Sequence, residues 1–475
     1  MYNYIHVSAE CTPFVKIGGL ADVVGTLPGE MKRLRGCDIK VFLPFYKAIP
    51  YKFKKNTEDV IKFTMPFGDE SECHVGVKQL KRSNILYYFI DNEFYFGSRE
   101  NVYNYADESK RYAFYQLAVL ETIKRLELKP DVIHVHDWHT AMIPLLLKLK
   151  FKNIKAKTVL TIHNLAYQGI FPLEDFGLFN IRYDSKLEYE GFMNFLKAGI
   201  ITADKITTVS QTYAKEILTD YFGYGMQSLL KQRNNDLVGI LNGLDYKEFN
   251  PETDKFIRRK YNIETAKEGK LANKKALFKE LDVDFNIDKP TVGVVSRLVS
   301  QKGIDLIKRV FDEMLEIDDF NFVVLGSGNK EYEDYFKGLQ ARFPNKVSIY
   351  VGYSNRLAHM IYAGCDIFLM PSKFEPCGLG QIISLKYGTI PVVRETGGLV
   401  DTITPYNEYE KLGNGFTFKN FNAHDMMHVL RYALHLYYHN PESWDILIRH
   451  AMESDFSWTQ SAKEYRKVYK DLLKK

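Results

Sequence analysis

The chain is poor in cysteine, and the few it has form no pattern. Five occur in 475 residues, at 11, 37, 73, 365 and 377, with no C-x-x-C pair and an odd total. This excludes a disulfide framework and a thiolate zinc site, and it fits a reducing compartment. Long apolar runs are also missing. None approaches the roughly 18 residues needed to span a bilayer. The start, M-Y-N-Y-I-H-V-S-A-E, has no basic region ahead of an apolar stretch. The sequence therefore predicts no membrane segment, no signal peptide and a cytoplasmic protein. Charge of one sign is absent too. Lys and Arg number 64 against 59 Asp and Glu, a net charge of +5, and the two signs are interspersed. No stripe for nucleic acid results. Low-complexity segments and short repeats do not occur.

What is present is a long, ordinary globular composition, 45% hydrophobic and 26% charged. The length exceeds one ordinary core, so two domains are expected. Aromatics reach 14%, with 32 Tyr and 32 Phe, which reads as core filling. Short apolar runs alternate with helical patterns. Strands are expected at 4–7, 39–43, 85–90, 132–135, 158–162, 205–209 and 238–241, with helices at 20–34, 113–126 and 140–149. The theme repeats with strands at 291–295, 322–325, 348–351, 367–370 and 390–393. Such alternation implies parallel sheets covered on both faces, and two sets imply two doubly wound α/β domains. The division falls near N-G-L-D-Y-K-E-F-N-P, giving domains at 1–243 and 244–456 and a tail helix within 457–475. Residues 252–289, charged and free of strand patterns, read as a solvated helical lead-in. In the tail, Tyr465, Val468, Tyr469 and Leu472 share one helical face.

The stretch from 371 to 401 is the most informative. An apolar run ends at Pro371-Ser372, and a lone acid, Glu375, follows in a loop closed by Pro376, Gly378 and Gly380. A helix opens at Gln381. The first N–H groups of a helix lack partners and carry the positive dipole end, which suits a phosphate. Glu375 can accept hydrogen bonds from the hydroxyls of a neutral ligand.

Four further places carry chemistry. E-C-T-P-F-V-K-I-G-G-L-A-D-V-V-G, from Glu10 to Gly25, joins the first strand to the first helix. Gly18 and Gly19 let backbone N–H groups approach a ligand and Lys16 offers a point charge, although a plain βα turn with a surface lysine reads equally well. It is not a Walker A loop. H-V-H-D-W-H places His134 and His136 on one strand face. No matching ligand set follows, so no metal is expected, and Asp137 at the strand end reads as lining a ligand crevice. T-I-H-N-L-A-Y-Q-G ends another strand at His163-Asn164. V-S-R-L-V-S-Q-K-G sets Arg297 and Lys302 five residues apart at a helix start, where cations oppose the dipole and an anion between them relieves the conflict. Asp282-Val-Asp284 lies off any strand end, and L-G-S-G-N-K lacks the third glycine of a dinucleotide fingerprint.

Taken in order, K-I-G-G-L-A-D-V, H-D-W-H, H-N-L-A-Y-Q-G, F-L-K-A-G, Y-G-M, L-N-G-L-D, S-R-L-x-S-Q-K-G, E-P-C-G-L, K-Y-G-T-I-P, R-E-T-G-G-L-x-D-T and D-F-S-W closely resemble the bacterial glycogen synthases and plant starch synthases that use ADP-glucose. The likeness covers essentially the whole chain. It implies a GT-B glycosyltransferase, two Rossmann-like domains with the active site in an interdomain cleft. The implied reaction is retaining transfer of glucose from ADP-glucose to the non-reducing end of an α-1,4-glucan, with no cofactor and no metal. By motif, Lys16, Gly18 and Gly19 would meet the donor phosphates, and Arg297 and Lys302 would neutralise the leaving pyrophosphate. Glu375 would bind glucose hydroxyls, with N–H groups of Cys377, Gly378 and Leu379 at the sugar and phosphate. Asp137, His163 and Asn242 would surround the transferred glucose, and Tyr353 would stack on adenine. Glu10 and Asp22 would line the nucleotide or acceptor side. The expected partners are the donor and the glucan, and a homo-oligomer stays open.

Two positions depart from the family pattern. Ile17 stands where Thr is usual, and Gly380 stands where Thr usually follows E-P-C-G-L. The alternatives are a synthase using UDP-glucose and a non-catalytic glucan-binding homologue. Joint presence of Lys16, Arg297, Lys302 and Glu375 argues against the latter. A glucan phosphorylase would need a pyridoxal-phosphate lysine and a much longer chain.

Overall fold

The computed structural model describes residues 1–474, and for 70 and 71 the backbone alone; the last residue of the expected tail lies outside them. The chain forms two compact units, one of residues 1–243 together with the stretch from Trp458 onward, the other spanning Leu244–Ser457.

The first unit is built on a nine-stranded sheet. Its strands are β1 (Tyr2–Val7), β2 (Cys37–Pro44), β3 (Glu58–Phe67), β4 (Glu70–Arg82), β5 (Ile85–Asp91), β6 (Val132–His136), β7 (Lys157–Ile162), β11 (Lys205–Thr208) and β12 (Leu237–Gly239), with a small separate sheet of β8 (Ile170–Phe171), β9 (Glu188–Tyr189) and β10 (Phe192–Asn194). The spatial order is β12-β11-β7-β6-β1-β2-β5-β4-β3. All neighbours from β12 to β5 are parallel, while β4 runs antiparallel to both β5 and β3. That edge corrects the expectation of a purely parallel sheet. The alternation of β3, buried at Phe63, Met65 and Phe67 and exposed between them, is the signature of a strand with one wet face. Central strands are instead buried along their length, as Ile5, Val7, Ile133 and Val135 show.

The helix Gly19–Arg33 buries Leu20, Val23, Val24, Leu27 and Met31, a stripe at helical spacing, and ends in Lys32 and Arg33, which complement its dipole. The tail helix Trp458–Leu473 buries Tyr465, Tyr469 and Leu472 and belongs to this unit. Arg466 holds it there by donating to the Leu34 carbonyl at 2.7 Å.

The second unit carries β13 (Thr291–Val295), β14 (Asn321–Gly326), β15 (Val347–Val351), β16 (Ile367–Met370), β17 (Ile390–Arg394) and β18 (Phe416–Phe418). Their order, β15-β14-β13-β16-β17-β18, is all parallel and is the 3-2-1-4-5-6 arrangement of a doubly wound nucleotide-binding sheet. Apolar clusters fill both faces, one around Val292, Phe322 and Ile307, the other around Val323, Phe368 and Ile361. The segment 252–289 differs from its expectation. Only Ala266–Glu280 is helical, and two of its lysines are buried rather than solvated. Lys270 donates to the carbonyls of Ala363 and Tyr387 and to Thr389 Oγ1, and Lys274 pairs with Asp366 at 2.9 Å. These lysines satisfy loop and helix-end oxygens that the sheet leaves unpaired.

Candidate active site

Ligands of open α/β sheets bind at the carboxyl ends of strands where the strand order reverses. In the first unit that point lies between β1 and β6, in the second between β13 and β16. Most candidate residues lie in loops at these two points, while Asn242 and Tyr353 follow the edge strands β12 and β15, and each unit is described by itself.

After β1, Glu10 is buried and fully engaged. Its carboxylate accepts from the N–H groups of Ile17 at 2.6 Å and Gly18 at 2.9 Å, and from the Tyr103 hydroxyl at 2.7 Å. The expectation that both glycines offer N–H groups outward is thereby halved, because Gly18 donates inward to Glu10. Gly19 keeps its N–H without an acceptor among the described residues. Neither glycine is forced by the backbone, since Gly18 has an extended φ of −141° and a Cβ on either would meet nothing within 4 Å. Space beside a 15-residue helix start is what an approaching ligand needs. Lys16, half-exposed, pairs with Asp22 at 2.8 Å.

After β6, Asp137 adopts φ 54°, a costly backbone for a residue with a side chain. The bend turns its carboxylate onto the end of β7, where Oδ1 accepts from the His163 N–H at 2.7 Å. Burial pushes this carboxyl up to about 7, against the opposing pull of the His163 and Asn164 N–H groups, with Glu10 adding to the rise. His163 is buried and its Nε2 lies 3.1 Å from His136 Nδ1. Burial lowers its pKa to about 3, so the imidazole is neutral. Asn242, after β12, is buried with its Oδ1 lacking a hydrogen-bond partner among the described residues. A buried acceptor without a donor is unusual enough to point to a ligand.

In the second unit, Arg297 leaves β13 exposed, and its guanidinium forms no hydrogen bond or ion pair among the described residues. Lys302 sits in a tight turn, Ser300–Lys302, ending at Gly303. Gly303 has φ 70°, and a Cβ there would lie 1.9 Å from the Pro371 carbonyl oxygen, so glycine is required. That close approach brings Lys302 Nζ to 2.6 Å from Glu375 Oε2, which also accepts from Ser372 Oγ at 3.0 Å. The sequence reading gave Lys302 and Glu375 separate ligand parts, whereas the fold joins them in one largely buried ion pair. The loop is held from behind by Gly398, whose N–H donates to the Glu375 carbonyl at 3.1 Å. Cys377 is buried, and Gly378, at φ 74°, and Leu379 keep N–H groups with no acceptor among the described residues. Tyr353 follows β15 and is 77% exposed, its hydroxyl near Asn355 Oδ1 at 3.3 Å.

Sequence reasoning missed Tyr103, which anchors Glu10 from 93 residues away, Ser372, and the set formed by His6, His136 and Tyr469 around His163. Tyr469 was legible only as one position of an amphipathic stripe. His6 stands one strand over from His134 in register, a pairing no local pattern reveals.

Two doubly wound units in one chain, each gathering polar and charged groups at its strand switch, define a GT-B glycosyltransferase. The comparisons agree. Residues 3–232 match the starch synthase catalytic domain and residues 278–446 match the glycosyl transferases group 1. A glycogen synthase of Geobacillus thermodenitrificans is 46% identical over 98% of this chain and 97% of that relative. The catalytic domain of starch synthase IV from Arabidopsis thaliana, solved bound to ADP and acarbose, superposes with TM-score 0.92 at 32% identity, covering 100% of both chains. Sucrose-phosphate synthase from Thermosynechococcus elongatus, at 16% identity and TM-score 0.61, shares the fold. The chain belongs to the glycogen and starch synthase family of glycosyltransferases. No helix among the described residues is long and apolar enough to cross a membrane.

Proposed function

We propose that the chain transfers glucose from ADP-glucose to the non-reducing end of an α-1,4-glucan with retention of configuration. The observation that carries this is the strand switch of the second unit, where Arg297 leaves β13 exposed and Lys302, five residues on, pairs with Glu375. Departure of ADP leaves negative charge on its distal phosphate. Arg297, Lys302 and the N–H groups of Gly378 and Leu379 are of the kind that stabilise that charge. The relative solved with ADP and acarbose supports a nucleoside diphosphate and an oligosaccharide as the ligands.

Glu375 then holds sugar hydroxyls on one oxygen while Lys302 fixes the other. Cys377 contributes the backbone of the same loop. In the first unit, Asp137, His163 and Asn242 offer a near-neutral carboxyl, a neutral donor and an orphaned acceptor, a set suited to orienting hydroxyls of an uncharged sugar. Lys16 and the Gly19 N–H suit the donor phosphates, with Gly18 orienting Glu10. Glu10 and Asp22 position that loop. The exposed face of Tyr353 suits stacking on adenine.

None of these candidate carboxylates is unengaged: Glu10 accepts from three donors, Asp137 accepts two backbone N–H groups, and Glu375 is paired with Lys302. Front-face attack by the acceptor hydroxyl, with the departing phosphate taking its proton, is the step this arrangement favours. Five buried cysteines without a disulfide fit action in the cytoplasm.

The test is glucosyl transfer to glycogen by purified protein, with ADP-glucose or UDP-glucose, with and without chelator. Faster transfer from ADP-glucose, unchanged by chelation, is expected. Preference for UDP-glucose would overturn the donor assignment. Transfer from neither would return the glucan-binding reading, and loss on chelation would refute charge compensation by Arg297 and Lys302 alone.

A further inference from the structure

Behind His163 lies a continuous buried chain of hydrogen-bonding side chains. His163 Nε2 meets His136 Nδ1 at 3.1 Å, and His136 Nε2 meets His6 Nδ1 at 3.2 Å. His6 Nε2 lies 3.4 Å from the Tyr469 hydroxyl, which lies 2.5 Å from His134 Nδ1. His134 Nε2 meets Thr161 Oγ1 at 2.5 Å, and Thr161 Oγ1 meets Thr207 Oγ1 at 2.6 Å. His6, His134, His136, Thr161, Thr207 and Tyr469 are all fully buried. The chain runs from the strand switch across β6 and β1 to the tail helix, returns through β6 and β7, and ends on β11.

Its direction is determined. Each imidazole is neutral, because burial without a counter-charge disfavours the cation. A neutral imidazole has one N–H and one acceptor nitrogen. Each imidazole therefore fixes the next link, and a hydroxyl accepting from both sides would leave its own hydrogen unpaired in the core, so the protons all point one way or all the other. If they point from His163 toward Thr207, the Thr207 hydroxyl hydrogen has no acceptor among the described residues and is orphaned in the core. If they point from Thr207 toward His163, the one donor left over is His163 Nδ1–H, on a ring that keeps 9% exposure at the strand switch and can meet solvent or a ligand, whereas Thr207 has none. Unsatisfied buried donors are what folded proteins avoid, so the second sense holds.

We propose that Thr207, Thr161, His134, Tyr469, His6 and His136 form a one-way hydrogen-bond chain that locks His163 as the Nδ1–H tautomer. His163 Nε2 is then occupied as an acceptor. Nδ1–H, which meets no described residue, is the group it offers to a ligand, so His163 donates a hydrogen bond and takes no proton. Tyr469 and the three inner histidines are positioning residues that act through His163. This rests on the reading that His163 borders the transferred sugar only for its kinetic consequence; the tautomer stands apart from it.

The same histidines resemble a metal site, since one nitrogen each of His6, His134 and His136 lies within 4.8 Å of the others. Both nitrogens of all three are already taken in the chain, so a metal would have to break it.

Histidine-selective ¹⁵N labelling of the full chain tests the tautomer directly. Two-bond ¹H–¹⁵N correlations distinguish the protonated nitrogen, and a His163→Gln variant assigns that ring. The expected result at neutral pH is protonated Nδ1 on His163, His136, His6 and His134. Protonated Nε2 on His163 would overturn the proposal, as would stoichiometric zinc or copper in the purified protein. The second arm is Tyr469→Phe, which removes one hydroxyl and keeps the ring. Its kcat should fall about fivefold with the KM for donor and glucan nearly unchanged, the worth of one weakened hydrogen bond. Unchanged kcat together with an unchanged His163 ¹⁵N pattern would show that the tail helix does not reach the site. Loss of all transfer in the unmodified protein would instead strike the functional reading and leave the tautomer result standing.

Discussion

The two strand switches obey the same topological rule and carry opposite electrostatics. In the first unit the groups around Asp137 and His163 are desolvated and close to neutral. Burial lowers His6 and His163 to about 3 and raises Asp137 to about 7. In the second, Lys302 and Glu375 remain an ion pair and Arg297 stands exposed. Burial without a partner removes charge, while burial with a partner at 2.6 Å keeps it. The two halves are thereby fitted to different parts of the reaction. A neutral set can orient sugar hydroxyls without disturbing charge at the reacting carbon. A cationic set can receive the charge that a departing phosphate acquires.

Breaking the ionic half should have the largest effect. Lys302→Ala removes one of two cations and should lower kcat roughly 10²–10³-fold, the scale of one lost oxyanion contact. Glu375 would keep only Ser372 as a side-chain partner. Melting curves of the same variant separate lost chemistry from lost folding. A folded variant with kcat near that of the parent would remove Lys302 from the mechanism.

Breaking the neutral half should show in stability against pH. The folded-state pKa of Asp137 lies above its unfolded value of 3.8, so the native chain holds a proton that the unfolded chain releases between those values. Its favourable contribution is therefore complete below pH 3.8 and is lost as pH rises through about 7. Asp137→Asn cannot ionise and escapes that loss. It should be more stable than the parent at pH 8, by on the order of a few kcal/mol, with little or no gain at pH 4. Glucosyl transfer should fall at the same time, the pattern of a residue kept for function against stability. A variant that melts below the parent at pH 8 would show that the carboxylate is held ionised.

Much of this contrast was legible in the chain. Twelve apolar runs gave twelve strands, because buried parallel strands are written as short β-branched stretches, as in Thr291–Val295 and Ile367–Met370. Wet-faced strands were not recovered, since E-D-V-I-K-F-T-M-P-F of β3 hides its alternation among charges. Motifs at strand ends could be placed from turn residues alone. What the sequence could not show was pairing at a distance. Lys302 and Glu375 lie 73 residues apart, and Tyr469 reaches His134 across 335. Such contacts depend on strand order, which local patterns do not encode.

Gly380 sharpens the comparison from the packing side. The family usually has Thr there, and loss of a hydroxyl beside the phosphate loop reads at first as loss of function. The structure supplies a steric reason instead. A Cβ at Gly380 would lie 2.9 Å from Phe368 Cε1, 3.2 Å from its Cζ and 3.3 Å from Met370 Sδ. Phe368 is fully buried in β16 and packs on Tyr362 with ring centroids 5.1 Å apart, so it cannot swing away. Met370 can yield, but the nearest clash is with the ring. Gly380→Thr should therefore destabilise the second unit by about 1–3 kcal/mol, the usual penalty of overpacking. Phe368→Leu in the same chain removes the two ring atoms and should recover most of that loss. Phe368→Leu alone should destabilise, since it opens a cavity beside a residue with no side chain. The sign reversal between the single and double variants is the measurement that matters. If Gly380→Thr melts with the parent, the ring does not dictate the glycine. The departure from the family would then have to be explained at the phosphate rather than in the core.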